Sequence, residues 1–128
     1  MNLLLDTCTF LWMIASPEEL SKKVRRLCED SKKTLYLSAI SSWEITLKYS
    51  LSKLQLDTRP DKFIPAQRER HNIDALAFDE ASAIHFIQLP PIHQDPFDRM
   101  LVCQAIVHDL IILTPDESIR DYPVKIIW

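Results

Sequence analysis

The sequence predicts an α/β fold built on a parallel sheet. Three observations predict it. Short runs of strand length, at residues 2–6, 34–38 and 111–113, are mainly apolar, as strands buried on both faces are. The segments between them carry apolar residues at helical spacing, and strands alternating with helices give parallel sheets. The chain has 128 residues, 47% of them hydrophobic, so one domain spanning 1–128 can bury a core without disulfide staples.

The first strand is Asn2–Asp6, with Leu3-Leu4-Leu5 at its centre. A helix follows from about Thr7, with Phe10, Leu11 and Ile14 on one side. Ser16-Pro17 breaks it and is expected to start a second helix, with Ser16 as N-cap, Pro17 at the first helical position and Glu19 closing a capping box. That helix reaches about Asp30 and places Leu20, Val24 and Leu27 at helical spacing. Thr34–Ser38 reads as the second strand. Ser41 or Ser42 then caps a third helix whose apolar face is Ile40, Trp43, Leu47 and Leu51, with Glu44 at the edge of that face.

A proline-started helix is expected over 60–70 and a short strand over 72–76. Asp79 caps a helix to about Ile87, and Pro90-Pro91 stops it. Asp95-Pro96-Phe97-Asp98 is a strong helix start, with Asp95 as N-cap, and the helix runs to about His108. Ile111–Leu113 is a strand, and Thr114-Pro115-Asp116-Glu117 reads as a capped helical turn with Thr114 as cap and Glu117 as its partner. Val124–Ile127 is the last strand.

Composition removes several function classes. The chain contains no glycine, which excludes the dinucleotide fingerprint, the P-loop and the G-x-S-x-G elbow. Its eight prolines and its Asn, Asp and Ser residues must make the turns. The three cysteines, Cys8, Cys28 and Cys103, lie in apolar helical contexts without C-x-x-C spacing and read as reduced core residues of a cytoplasmic protein. A Cys-x5-Arg phosphatase loop is absent, because the arginine position holds Ile14, Thr34 or Asp109. The N-terminus lacks the pattern of a signal peptide, and no apolar run approaches the ~18 residues of a membrane span. The formal charge of −3 gives no global drive toward nucleic acid. A mild basic excess from Lys48 to Arg70 is the local exception, and a solvated helix surface explains it equally well.

Four acidic residues stand where apolar segments begin or end: Asp6, Glu44, Asp98 and Asp116. A carboxylate against apolar surface is costly unless a cation or a hydrogen-bond donor meets it. Each also has a plain structural reading. Asp6 can cap the helix at Thr7, Glu44 can pair with Lys48 four residues on, and Asp98 suits the dipole of its own helix. Asp116 has the weakest such reading, since the capping box at Thr114 does not need it. Asp95 and Glu117 read as caps. His93 has no second histidine at ligand spacing, so zinc is not indicated and a supporting role is expected. Asp6, Asp98 and Asp116 fall at strand–helix junctions, and a parallel sheet gathers such junctions along its carboxyl edge. A set of oxygen donors selects hard ions such as Mg²⁺ or Mn²⁺, which assist phosphate chemistry.

Several stretches carry a resemblance to a family: Leu3-Leu4-Leu5-Asp6-Thr7, Ser41-Ser42-Trp43-Glu44-Ile45, His93-Gln94-Asp95-Pro96-Phe97-Asp98-Arg99-Met100-Leu101 with Gln104-Ala105, and Leu113-Thr114-Pro115-Asp116-Glu117. In this order the chain resembles a PIN-domain ribonuclease, close to the VapC-type toxins of bacterial toxin–antitoxin pairs. The resemblance implies a three-layer α/β/α fold with a central, mainly parallel sheet. It implies an acidic pocket binding Mg²⁺ or Mn²⁺, with Asp6, Glu44, Asp98 and Asp116 as its catalytic and metal-holding residues. Thr7 and Thr114 match the family's small polar neighbours. It further implies endonucleolytic cleavage of RNA, a homodimer, and a small VapB-like antitoxin as partner. Two departures stand out: Leu51-Ser52 and Asp109 occupy places where relatives often have glycine. Local RNA contacts are assigned to Lys48, Lys53 and Arg99.

The alternative reading is a catalytically silent module on the same fold that binds RNA or protein. A phosphoryl-aspartate enzyme is disfavoured, because Leu5 and Cys8 stand where that chemistry needs a second acid.

Overall fold

The computed structural model describes residues 1–128. Five strands form one sheet: β1 (Asn2–Leu5), β2 (Thr34–Ser38), β3 (Ile73–Leu76), β4 (Ile111–Leu113) and β5 (Ile126–Ile127). Their order is β3-β2-β1-β4-β5 and every pairing is parallel. Six helices accompany them: α1 (Thr7–Ala15), α2 (Lys22–Glu29), α3 (Ala39–Ser50), α4 (Pro60–Arg70), α5 (Glu80–His85) and α6 (Pro96–His108). No helix is long and apolar enough to cross a membrane.

The alternation of side chains along β1 explains the layers. Leu3 and Leu5 point into one core, with Phe10, Val24, Leu37, Ile45, Phe63 and Leu113. Leu4 points into the other, with Ile40, Leu101, Val102, Ile112 and Ile119. All three leucines are fully buried, so β1 has no face left for a polar residue until Asp6. Burying such a side chain is worth about 1.5–3 kcal/mol. Helices cover both faces of the sheet, which gives the expected three layers.

The strand order has one functional consequence. From β1 the chain moves outward through β2 to β3, then crosses to β4 on the other side of β1. The switch point therefore lies between β1 and β4, and Leu5 pairs with Leu113 there. Open parallel sheets bind ligands in the crevice at this point. Asp6 follows Leu5, and Thr114-Pro115-Asp116 follows Leu113.

Several local expectations are corrected. Pro17–Glu19 form a 3₁₀ turn in which Ser16 makes no side-chain cap, and α2 starts later, capped by Ser21, whose Oγ accepts from Val24 N–H at 3.1 Å. A proline cannot donate to the helix ladder, and here it opens a turn instead of a helix. Helix α3 begins directly from β2, capped by Ser38 through Ile40 N–H, and neither Ser41 nor Ser42 is the cap. Its buried face runs through Ile40, Ser41, Glu44 and Ile45, while Trp43 is 53% exposed. Glu44 thus lies within the buried stripe and Trp43 outside it. The turn at Glu117–Asp121 is 3₁₀ and Asp116 is its cap.

The glycine-free helix ends are made by three residues in the left-handed region: Ser52 (φ 57°), Asn72 (φ 54°) and Asp109 (φ 53°). Each follows α3, α4 or α6, and left-handed geometry closes a helix there even at the steric cost of a Cβ.

Candidate metal centre

Asp6, Thr7, Cys8, Glu44, Asp95, Asp98, Pro115 and Asp116 line one cleft of about 290 Å³ at the carboxyl edge of the sheet. All four acids singled out from the sequence line it, together with Asp95.

Asp6 is 6% exposed. One of its oxygens caps α1, accepting from Thr9 N–H at 2.7 Å, while the Thr9 hydroxyl donates to Leu113 O at 2.9 Å. That pair of bonds locks the β1–α1 junction to β4. The Thr114 hydroxyl also hydrogen-bonds this carboxylate, whose two oxygens offer about four acceptor sites in all, so capping does not exhaust it. The cap and the ligand readings of Asp6 are compatible. Burial raises the Asp6 carboxyl above its ordinary range.

Glu44 is buried on α3, with both oxygens engaged. Oε1 accepts from the Thr7 hydroxyl at 2.7 Å, and that hydroxyl lies 3.0 Å from Ser41 Oγ. Oε2 pairs with Lys48 Nζ at 2.5 Å, the ion pair expected at this spacing. The Glu44 hydrogen bond raises the Lys48 ammonium above its usual value.

Asp98 and Asp116 meet through His93. His93 Nε2 lies 3.4 Å from Asp98 Oδ2 and 3.3 Å from Asp116 Oδ2. Its other nitrogen, Nδ1, accepts from Asp95 N–H at 3.0 Å, and its backbone N–H donates to the Tyr122 hydroxyl oxygen at 2.7 Å. An Nδ1 that accepts leaves the ring proton on Nε2, aimed at the two carboxylates. Asp95 caps α6 by accepting from Phe97 and Asp98 N–H, as its sequence position foretells. Asp116 Oδ1 accepts from Ser118 N–H at 3.0 Å and Ser118 Oγ–H at 2.6 Å, so Oδ2 is the oxygen presented to His93. The sequence reading left Asp116 without a capping role, and the structure gives it one. Thr114, expected to be that cap, accepts from Asp116 N–H instead.

The charge balance of the cleft is negative. Burial, and after it Asp95, pushes the Asp98 carboxyl up to about 7, with Asp6 and Glu44 adding to the effect. Asp116 feels burial too, but hydrogen bonds from Ser118 and His93 hold it below the usual carboxylate range. Burial pushes the Cys8 thiol up to about 11, with Asp6 and Glu44 adding to it. Cys8 is therefore a neutral thiol at the wall of the cleft, unsuited to nucleophilic work.

One atom each from His93, Asp98 and Asp116 lie within 4.8 Å of one another, a spacing that can hold a divalent metal ion. Asp6 and Glu44 line the same cleft outside that tight group. Carboxylate oxygens with surplus negative charge fit a hard cation. His93, expected in a supporting role, contacts both Asp98 and Asp116. The signal was its place two residues before a helix cap, where its ring can bond the cap's own N–H. Arg99, proposed as an RNA contact, is not in the cleft lining: its guanidinium sits 4.1 Å from the Phe86 ring centroid.

The sequence model of the PIN domain matches residues 3–125. Ribonuclease VapC16 of Mycobacterium tuberculosis is 30% identical over 63 residues, which is 49% of this chain and 45% of that protein. The matched stretch is thus under half of that relative. VapBC2 from Rickettsia felis, solved bound to a DNA fragment from its promoter, superposes with a TM-score of 0.74 at 15% identity, over 99% of this chain and 98% of that one. DNA-bound VapBC from Salmonella typhimurium superposes with a TM-score of 0.70 at 20% identity, over 99% of this chain and 97% of that one. At these identities the likeness to the solved structures is one of fold. The family match over nearly the whole length, on a parallel sheet with its acids gathered at the switch point, places this chain in the PIN domain family.

Proposed function

We propose that the chain is a single PIN domain acting as a Mg²⁺- or Mn²⁺-dependent endoribonuclease, the toxin of a toxin–antitoxin pair. The observation that carries this reading is the convergence of Asp6, Glu44, Asp98 and Asp116 on one cleft from four distant parts of the sequence. Relatives named as a VapC ribonuclease and as VapBC complexes support it.

Asp98 and Asp116 would hold the ion, with Asp6 lining the same cleft. Glu44, whose oxygens already serve Thr7 and Lys48, acts by its charge or through water. When bound, the ion activates water and offsets charge on the scissile phosphate. The chain's own residues do the rest. Thr7 and Lys48 fix Glu44, and Ser118 fixes Asp116. His93 keeps Asp98 and Asp116 at a common distance. A cleft carboxylate takes the proton of the attacking water, and the phosphorus–oxygen bond to the leaving nucleotide breaks as the new one forms. Lys48, 47% exposed at the rim, offers a cation to the RNA backbone.

The same reading assigns a small VapB-like antitoxin as inhibitor, a homodimer as the working form, and a cytoplasmic site of action. The test is incubation with structured RNA, with Mn²⁺ and with EDTA. Cleavage that needs Mn²⁺ and disappears in Asp6→Asn is expected. The silent-module alternative predicts RNA binding without cleavage in either condition.

A further inference from the structure

Trp43 is out of place for a tryptophan. It is 53% exposed, although it precedes buried Glu44 and lies on a helix whose Ile40 and Ile45 are buried. It is also held in place. Its ring meets Phe97 edge-on, with centroids 5.2 Å apart and planes at 71°. Phe97 packs against the core beneath α6 and precedes Asp98. The aromatic pair therefore bridges α3 and α6 beside the two acids those helices bring to the cleft. A T-shaped pair of this kind fixes ring orientation.

We infer that Trp43, braced by Phe97, is a stacking platform for one unpaired base of the RNA strand whose phosphodiester enters the cleft. The inference rests on the ribonuclease reading and adds to it a subsite for a single-stranded nucleotide. Three features favour a base over an apolar protein side chain. The platform adjoins the acidic cleft, so a strand placed for cleavage passes it. Lys48, paired with Glu44 and 47% exposed, offers a cation to a phosphate of the same strand on the Glu44 side of the cleft. The exposed Thr46, three residues on from Trp43 on the same helix face, adds a polar group beside the ring. Stacking tolerates any base, since each has a π-face. The platform thus selects unpaired strand over duplex without selecting sequence.

The test compares the full chain with Trp43→Ala and Trp43→Phe, after melting curves establish that each is folded. With Mn²⁺ and a short single-stranded RNA, Trp43→Ala is expected to raise KM about tenfold with kcat little changed, while Trp43→Phe stays within about threefold. In the Asp6→Asn background, which removes turnover, the same about tenfold loss is expected in Kd. An RNA with an abasic site at the stacked position should bind both chains equally weakly. Equal KM and equal Kd for the parent and Trp43→Ala would overturn the platform while leaving the ribonuclease reading intact. A Trp43→Ala that keeps its RNA constants but loses self-association or inhibitor binding would also overturn it, in favour of a protein contact. No Mn²⁺-dependent cleavage by the parent would sink the ribonuclease reading. The platform would then fall too if the Asp6→Asn chain showed no Trp43-sensitive RNA binding.

Discussion

His93 Nε2 stands 3.3 Å from Asp116 Oδ2, with Asp98 Oδ2 almost as close, and Asp95 N–H pins the opposite side of the ring. The imidazole ties the start of α6 to the turn after β4.

Removing that tie should loosen the cleft. His93→Ala is expected to weaken Mn²⁺ binding about 10–100-fold, the usual cost of losing a residue that orients metal ligands. His93→Gln keeps an N–H donor and should recover part of the loss. Titration calorimetry with Mn²⁺ checks both. Unchanged affinity in His93→Ala would remove the residue from the account.

The raised carboxyl of Asp98 sets a sign for stability against pH. Its value is about 7 in the folded chain against 3.8 for an ordinary Asp. Between these values the folded state holds a proton that the unfolded state has released. Stability of the metal-free protein therefore falls as pH rises through that window. The depressed Asp116 works in the opposite direction but only below the ordinary carboxylate range, so the two do not cancel. In EDTA, Tm is expected to fall from about pH 5 to about pH 8, and Asp98→Asn should flatten the slope. A slope of the opposite sign in the parent chain contradicts the assignment.

Cys8 lines the cleft as a neutral thiol with its acidity pushed up to about 11. Iodoacetamide at neutral pH should leave it unmodified in the folded chain. Cys8→Ser should retain cleavage within about threefold, because no step uses a thiolate. Mass spectrometry of the alkylated chain and a cleavage assay check the two statements.

The left-handed Ser52 closes α3 without the glycine that this geometry favours. Ser52→Gly is expected to stabilise the fold by about 0.5–1 kcal/mol, read from the urea midpoint. A destabilised variant would mean that the serine side chain contributes something the φ angle does not reveal.

The strands and most helices were legible because their signals are local and strong. Leu3-Leu4-Leu5 leaves no exposed face, and Asp95-Pro96 can hardly be anything but a helix start. The errors came where two local signals competed. Ser16-Pro17-Glu18-Glu19 has the composition of a helix start, yet Ser21 wins because the chain needs Val24 in the core, where it is fully buried. Trp43 has the spacing of an apolar face, but hydrophobicity alone does not bury a side chain. Packing instead buried Ser41 and Glu44 toward Thr7. Long-range bonds such as His93 to Asp116 leave no periodic trace, so sequence could place His93 near the site without revealing what it touches. The gathering of the acids was legible only as a consequence of topology: adjacency of β1 and β4 brings Asp6 and Asp116 to one edge.

Metal-dependent RNA cleavage by the clustered acids can be measured on the purified chain. Its most direct measurement is cleavage of a structured RNA by the purified chain and by Asp6→Asn, each with Mn²⁺ and with EDTA, alongside melting curves for both. Cleavage by the parent chain with Mn²⁺ alone is expected, and its loss in a folded Asp6→Asn by about a hundredfold or more. Undiminished cleavage by Asp6→Asn, or equal cleavage in EDTA, would contradict it.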